Sequence, residues 1–349
     1  MTALRLLVAT VLAVALTAFA APAHAATPRS FFGVMADGPL LAPGVDLGRE
    51  ARLMRSTGVA SIRVAFYWRD PEPQPGEFAW AETDRIVAAA AAAGIDVLPV
   101  VVRSPPWASG GDSAEGAVPD SAAYARFLSA LVARYGPRGT ANAGRPIRRW
   151  QVWNEPDIPR YWSGTPWPST YVALLRAARG AIKAADPAAI VVSAGLTNRS
   201  WEDLGKLYAA GGRGLFDEAA IHPFSRRVSN VVKIVRLARA EMKRRGDGRL
   251  PLLLTEVSWS SGKGRSTFNY GWETTERGQA ERVEEAFGAL ARERTRLRIG
   301  GVWWYTWLSP PVGDDESFSY GGLRRVSGSR AVDKPARAAF RRAVRRLTR

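Results

Sequence analysis

Two segments of the chain carry glutamates where a carboxylate is expensive: Trp153-Asn154-Glu155-Pro156-Asp157 and Thr255-Glu256-Val257-Ser258-Trp259. Each falls at the end of an apolar run that reads as a buried strand. Carboxyl groups are rarely buried without a partner, so a glutamate there is poorly placed for stability. One alone is usually a surface or ion-paired group. Two brought to the same place can act as acid and nucleophile on a glycosidic bond. Arg63, inside the apolar run Ile62-Arg63-Val64, is costly as well unless a carboxylate answers it. His222, in Ile221-His222-Pro223, ends another such run.

The composition narrows the chemistry. There is no cysteine among the 349 residues, which excludes disulfides, a thiolate nucleophile and Cys-ligated zinc or iron–sulfur sites. Of the two histidines, His24 falls in the leading 25 residues, so His222 stands alone in the remainder and a multi-histidine metal site is excluded. Asp314-Asp315-Glu316 could ligate calcium, but consecutive loop acids are usually just solvated. No metal and no cofactor is expected. The formal net charge of +17 raises nucleic acid or an anionic surface as a partner. No nucleic-acid motif accompanies it, and arginine supplies 43 of the 49 cations, spread over many helices. No nucleic-acid partner is expected. A loose association with an anionic cell wall or acidic polysaccharide remains compatible with the charge.

The elements that must position these groups follow from hydrophobic patterning. Residues 1–25 have the form of a secretory signal peptide: Arg5, an apolar and small-residue run over 6–21, then Ala23-His24-Ala25 as a small-x-small cleavage site. That run is short for a bilayer span, and no later stretch is long and apolar enough for one. A secreted, soluble monomer is expected. Residues 26–349 suit one α/β domain, a (β/α)8 TIM barrel. Short apolar runs at 31–35, 61–66, 95–102, 150–154, 190–194, 218–222, 250–257 and 301–306 are the strand candidates. Amphipathic stretches at 82–93, 121–135, 169–185, 228–245, 276–294 and 336–347 are helix candidates. In such a barrel chemistry sits where strands end and βα loops begin, which is where Glu155, Glu256 and His222 fall.

At this point the sequence resembles a known group. Trp153-Asn154-Glu155-Pro156 is similar to the fourth-strand signature of clan A glycoside hydrolases, and Leu252-Leu253-Leu254-Thr255-Glu256 to their seventh-strand segment. Trp68-x3-Glu72-Pro73-x-Pro75-Gly76, Ser104-Pro105-Pro106-Trp107, Ile221-His222-Pro223 and Lys334-Pro335-Ala336 resemble further segments of families 39, 42 and 5. The resemblance implies a retaining O-glycosyl hydrolase acting on β-linked oligo- or polysaccharide. Glu155 would be its general acid/base, Glu256 its nucleophile, Arg63 the support of that nucleophile, Asn154 the partner of the sugar 2-hydroxyl, and His222 a site residue. One position departs from the pattern. Phe224 stands where many relatives carry a tyrosine that contacts the nucleophile; Tyr270 or Tyr305 could supply a hydroxyl instead.

The 13 tryptophans divide by location. Trp107, Trp259 and Trp307 follow strands three, seven and eight, where sugar rings could stack on them. Trp303 and Trp304 lie within strand eight and suit barrel packing. Trp162 and Trp167 suit either outer subsites or loop packing. Two other readings share the scaffold: a carbohydrate-binding barrel without turnover, and a transglycosylase.

Overall fold

The computed structural model describes residues 26–197, 199–311 and 316–349. The signal-like residues 1–25 lie outside it, as do Asp314 and Asp315. Eight parallel strands close into a barrel in chain order, β8 pairing back to β1. They are β1 (Phe32–Met35), β2 (Ser61–Tyr67), β3 (Asp96–Val102), β4 (Arg149–Val152), β5 (Ile190–Thr197), β6 (Glu218–His222), β7 (Leu252–Val257) and β8 (Ile299–Trp304). The helices between and after them are α1 (Leu47–Thr57), α2 (Ala81–Ala92), α3 (Ser121–Tyr135), α4 (Trp167–Ala185), α5 (Ser200–Ala209), α6 (Val228–Arg244), α7 (Glu276–Leu297) and α8 (Pro335–Leu347). The fold is the expected (β/α)8 barrel. No helix among the described residues is long and apolar enough to cross a membrane.

Local chemistry accounts for the boundaries. Asp46, Asp120 and Thr275 accept backbone N–H bonds at the starts of α1, α3 and α7, satisfying donors that have no partner within the helix. Helix α1 ends at Gly58 with φ +104°, and a Cβ there would come within 2.8 Å of Val344 on α8. Strand β4 stops at Val152, two residues short of the sequence expectation, because Trp153 turns left-handed at φ +66°. Helices α1 and α5 are additions to the sequence reading. So is a three-stranded sheet after β8, built from β9 (Leu308–Ser309), β10 (Arg324–Ser327) and β11 (Arg330–Asp333).

Inside the barrel, Leu98, Val192, Ala220, Leu253 and Trp303 form an apolar cluster separate from the main core. Trp303 fills this floor because β1 offers no side chain at Gly33, where a Cβ would lie 2.4 Å from the indole. Trp303 and Trp304 are both buried, as packing residues should be. Ala220 precedes His222 by two positions and Leu253 precedes Glu256 by three. A polar layer therefore rests directly on the apolar floor.

Candidate active site

Arg63 organises that polar layer. Its guanidinium donates from Nη1 to Glu256 Oε1 at 2.6 Å, from Nε to Gln151 Oε1 at 2.6 Å, and from Nη2 to Asn154 Oδ1 at 2.7 Å. Gln151 in turn donates to the Ser193 carbonyl at 3.0 Å. One arginine from β2 thus ties together the ends of β4 and β7. Its planar fork of donors suits this role, which a lysine could not fill. The side chain is 1% exposed, so these partners, with Met35 Sδ at 3.2 Å from Nη1, offset its burial.

His222, at the end of β6, joins the two carboxylates from the other side. Its Nδ1 lies 2.6 Å from Glu155 Oε1, its Nε2 lies 2.9 Å from Thr255 Oγ1, and Nε2 is 3.7 Å from Glu256 Oε1. The ring has room because β5 carries Gly195 beside it; a Cβ there would sit 2.1 Å from Nε2. The Gly195 carbonyl also accepts the Glu155 N–H at 3.2 Å. Glu155 itself holds a left-handed conformation, φ +46°, uncommon for a residue with a side chain. Two anchors fix the loop that imposes it. Trp153 Nε1 donates to the Tyr161 carbonyl at 2.8 Å, and Asp157 accepts from the Thr197 hydroxyl and N–H at 2.5 and 3.1 Å.

Burial raises the Glu155 carboxyl to about 7, with Arg63 pulling the other way. It lowers the His222 imidazole to about 4 against the pull of Glu256, so the ring is neutral at pH 7. Burial raises Glu256 too, opposed by His222 and Arg63. The two carboxylates differ in their partners: Glu256 accepts a charge-assisted bond from a guanidinium, Glu155 faces a neutral ring. Glu155, His222 and Glu256 each bring one potential ligand atom within 4.8 Å of the others. A cation held by this trio would be opposed by the Arg63 charge 2.6 Å from Glu256.

Arg63, Asn154, Glu155 and Glu256 line a cleft of about 790 Å³ at the carboxyl ends of the strands, with His222 and Gln151 buried behind them. Tyr305 lines it, as expected, close enough to Glu256 that the glutamate charge helps to raise its hydroxyl pKa, after burial. The tryptophan platforms need correction: none of Trp107, Trp259 and Trp307 is among the residues lining the cleft. Trp107 packs edge-on against Trp68 and donates to the Glu72 carbonyl. Trp259 is buried and donates to the Arg226 carbonyl, while Trp307 is buried and donates to Glu50. Their indole N–H groups found acceptors within the loop and helix layer, which turned the rings away from solvent. Trp162 is likewise loop packing, donating to Thr170 Oγ1.

The aromatic wall of the cleft comes from other residues. Phe224, Tyr270, Trp272 and Phe318 pack on one another with centroids 5.1–6.2 Å apart. Phe224 stacks on Trp272 instead of offering a hydroxyl to Glu256. Tyr270 donates to Glu316 at 3.2 Å. Among the described residues no tyrosine hydrogen-bonds Glu256. Asp37 and Tyr67, also absent from the sequence expectations, line the opposite side, the tyrosine hydroxyl bridging both Asp37 oxygens at 3.2 and 3.3 Å. Tyr270 is 48% exposed, so replacing it does not disturb a core. On the glycosidase reading proposed below, Tyr270→Ala is expected to raise KM about 2- to 10-fold with little change in kcat, the range that loss of one stacking contact gives. Steady-state kinetics on a soluble glycoside checks this; an unchanged KM removes Tyr270 from substrate contact.

No protein-family model matches the chain, and no curated protein matches it by sequence. Solved structures do share its architecture. A family 39 glycoside hydrolase from the gut symbiont Bacteroides cellulosilyticus WH2 is similar at 20% identity and a TM-score of 0.70, over 90% of this chain and 63% of that one. The present chain therefore spans less than two thirds of that protein's length. A monomeric β-xylosidase from Caulobacter crescentus CB15 is similar at 19% identity and a TM-score of 0.66, over 91% of this chain and 68% of that one. A family 5 subfamily 18 protein from Streptomyces cattleya, in complex with GlcNAc, gives 20% and 0.66 over 93% and 81%. The chain has the fold of the clan A glycoside hydrolases.

Proposed function

We propose that the protein is a secreted, retaining glycoside hydrolase that cleaves β-O-glycosidic bonds of an oligo- or polysaccharide by double displacement. The observation that carries this reading is the spacing of Glu155 and Glu256, which bring oxygens within 4.8 Å of each other in one cleft. Retaining enzymes need carboxyl groups about 5–5.5 Å apart, whereas inverting ones leave about 6.5–9.5 Å for a water. The β-xylosidase and the GlcNAc complex among the similar structures support a carbohydrate substrate.

In the first step Glu256 attacks the anomeric carbon while Glu155 gives its proton to the departing glycosidic oxygen. A glycosyl ester on Glu256 results. In the second, Glu155, now ionised, takes a proton from water as the water oxygen displaces Glu256 and restores the starting configuration. The roles follow from the partners: the guanidinium favours an ionised Glu256, and the buried, neutral surroundings favour a protonated Glu155. His222 accommodates both states of Glu155. It accepts the carboxyl proton at Nδ1 in one tautomer and donates from Nδ1 to the carboxylate in the other. Asn154 Oδ1 is engaged by Arg63, which leaves its NH2 group to donate to the sugar 2-hydroxyl.

Proton NMR of the first sugar released from an aryl β-glycoside tests the reading: the β-anomer should appear before mutarotation. Initial α-anomer would exclude double displacement, and binding without release would favour a carbohydrate-binding barrel.

The pH dependence follows from Glu155. Activity should fall as pH rises through about 7, where its proton is lost. Stability has a related sign. The folded pKa of about 7 exceeds the unfolded value of 4.5, so the folded state binds more protons between these values. The corresponding stability is present below the unfolded pKa and is lost as pH rises towards 7. Glu155→Gln lacks this loss. Its melting temperature relative to wild type should therefore climb between pH 5 and pH 8; a constant difference across that range would show that Glu155 does not titrate in this way.

A further inference from the structure

A second, shallow concavity shares no lining residue with the cleft. It lies between the loop after β7 and the segment that joins β8 to α8. Arg265, Arg325 and Lys334 line it, with Ser309 and Tyr320. Two of the three cations meet one acid: Glu276 Oε1 is 3.4 Å from Arg325 Nε and 3.8 Å from Arg265 Nη2. Among the described residues Arg325 Nε makes no hydrogen bond. Lys334 is 2% exposed, yet among the described residues its ammonium makes one hydrogen bond, to the Tyr320 carbonyl at 2.9 Å. An ammonium has three donors, and buried charges normally find partners. Burial holds Lys334 down to about 7, Arg265 and Arg325 adding to the effect against Glu276. Ser309 Oγ accepts the Gly322 N–H at 2.9 Å, which leaves its own proton to donate. Arg265 is already seated over the Tyr320 ring, 4.9 Å from its centroid.

We propose that this concavity binds a small tetrahedral oxyanion, phosphate or sulfate, through Arg265, Arg325, Lys334 and the Ser309 hydroxyl. Among the described residues one carboxylate meets these cations; such an anion brings further negative charge and several acceptor oxygens for the donors that line the concavity, Arg265 Nη2 being already held by the Ser261 carbonyl at 2.6 Å. The same chemistry is offered by the free ion and by a sulfate ester on a polysaccharide. The site is separate from the catalytic cleft and does not depend on the glycosidase reading.

Isothermal titration calorimetry on the full protein tests it, with potassium phosphate, potassium sulfate and potassium chloride at matched ionic strength, and with dextran sulfate. Arg265 and Arg325 are each about a third exposed, so Arg265→Ala/Arg325→Ala should fold. Arg341→Ala/Arg345→Ala, on the exposed face of α8, removes the same charge elsewhere. Saturable 1:1 binding of phosphate and sulfate but not chloride is expected, at least tenfold weaker in the first double variant and unchanged in the second. Dextran sulfate no tighter per group than sulfate identifies the free ion as ligand; tighter binding that Arg265→Ala/Arg325→Ala abolishes identifies the ester. Absence of saturable binding, or equal weakening in both double variants, overturns the proposal.

Discussion

Glu256→Gln should lower kcat by about 10⁴-fold or more, the scale on which removal of a covalent nucleophile acts, and should leave the barrel folded. The amide keeps the shape of the carboxylate, and its oxygen can still accept the Nη1 bond from Arg63. What it cannot do is form a glycosyl ester that later breaks down. Circular dichroism melts and turnover of an activated aryl glycoside separate the two effects. A folded variant working at the wild-type rate would remove Glu256 from the reaction. Glu155→Ala provides the contrast. Its loss should be about 10²- to 10⁴-fold for poor leaving groups, and smaller for nitrophenolates, which depart without a proton.

Arg63→Leu is the substitution expected to cost most in stability, about 3–5 kcal/mol by urea denaturation, as for other buried pairs that lose one member. The reason is what it leaves behind. Glu256, Gln151 and Asn154 each lose their guanidinium donor, and an ionised Glu256 would lose the cation that offsets its burial. The variant should also move the acidic limb of the pH–rate profile upward, since burial would act on Glu256 with less opposition. Arg63→Lys keeps the charge but offers no planar fork, so it should recover only part of the stability. An Arg63→Leu protein within about 1 kcal/mol of wild type would mean that the network contributes little.

The cluster of Arg63, Asn154, Glu155, His222 and Glu256 was legible in the sequence because its residues are costly where they stand. Arg63 inside a strand, His222 and Glu256 at or near strand ends, and Asn154-Glu155 after a short apolar run each break a pattern that burial alone would impose. Barrel closure then brings strands two, four, six and seven to one face. The aromatic wall of the cleft was not legible. A tryptophan in a βα loop has the same neighbours in sequence whether its ring faces the cleft or the adjacent helix. Trp259 and Trp307 found acceptors inward, while Tyr270, Trp272 and Phe318 came to the cleft from irregular loops with no period to read. Gly195 was equally hidden, since the meaning of its missing side chain depends on an imidazole 27 positions away. The small sheet escaped notice because its strands have two to four residues and are rich in arginine. For α1, by contrast, Asp46 and Gly58 were available as start and stop signals.

The apolar floor under the polar layer has a consequence for protons. Trp303 and its neighbours stop water from entering the barrel from below, and His222 has no exposed surface of its own. Glu155 and His222 therefore exchange with bulk solvent by one route, through the mouth of the cleft. On the reading proposed above, a sugar bound there closes that route. The proton given to the leaving oxygen is then one the pair already held when the sugar arrived. On the double-displacement reading the first step starts from a protonation state fixed beforehand, and the site meets the pH of its surroundings again only when the departing group opens the cleft to water.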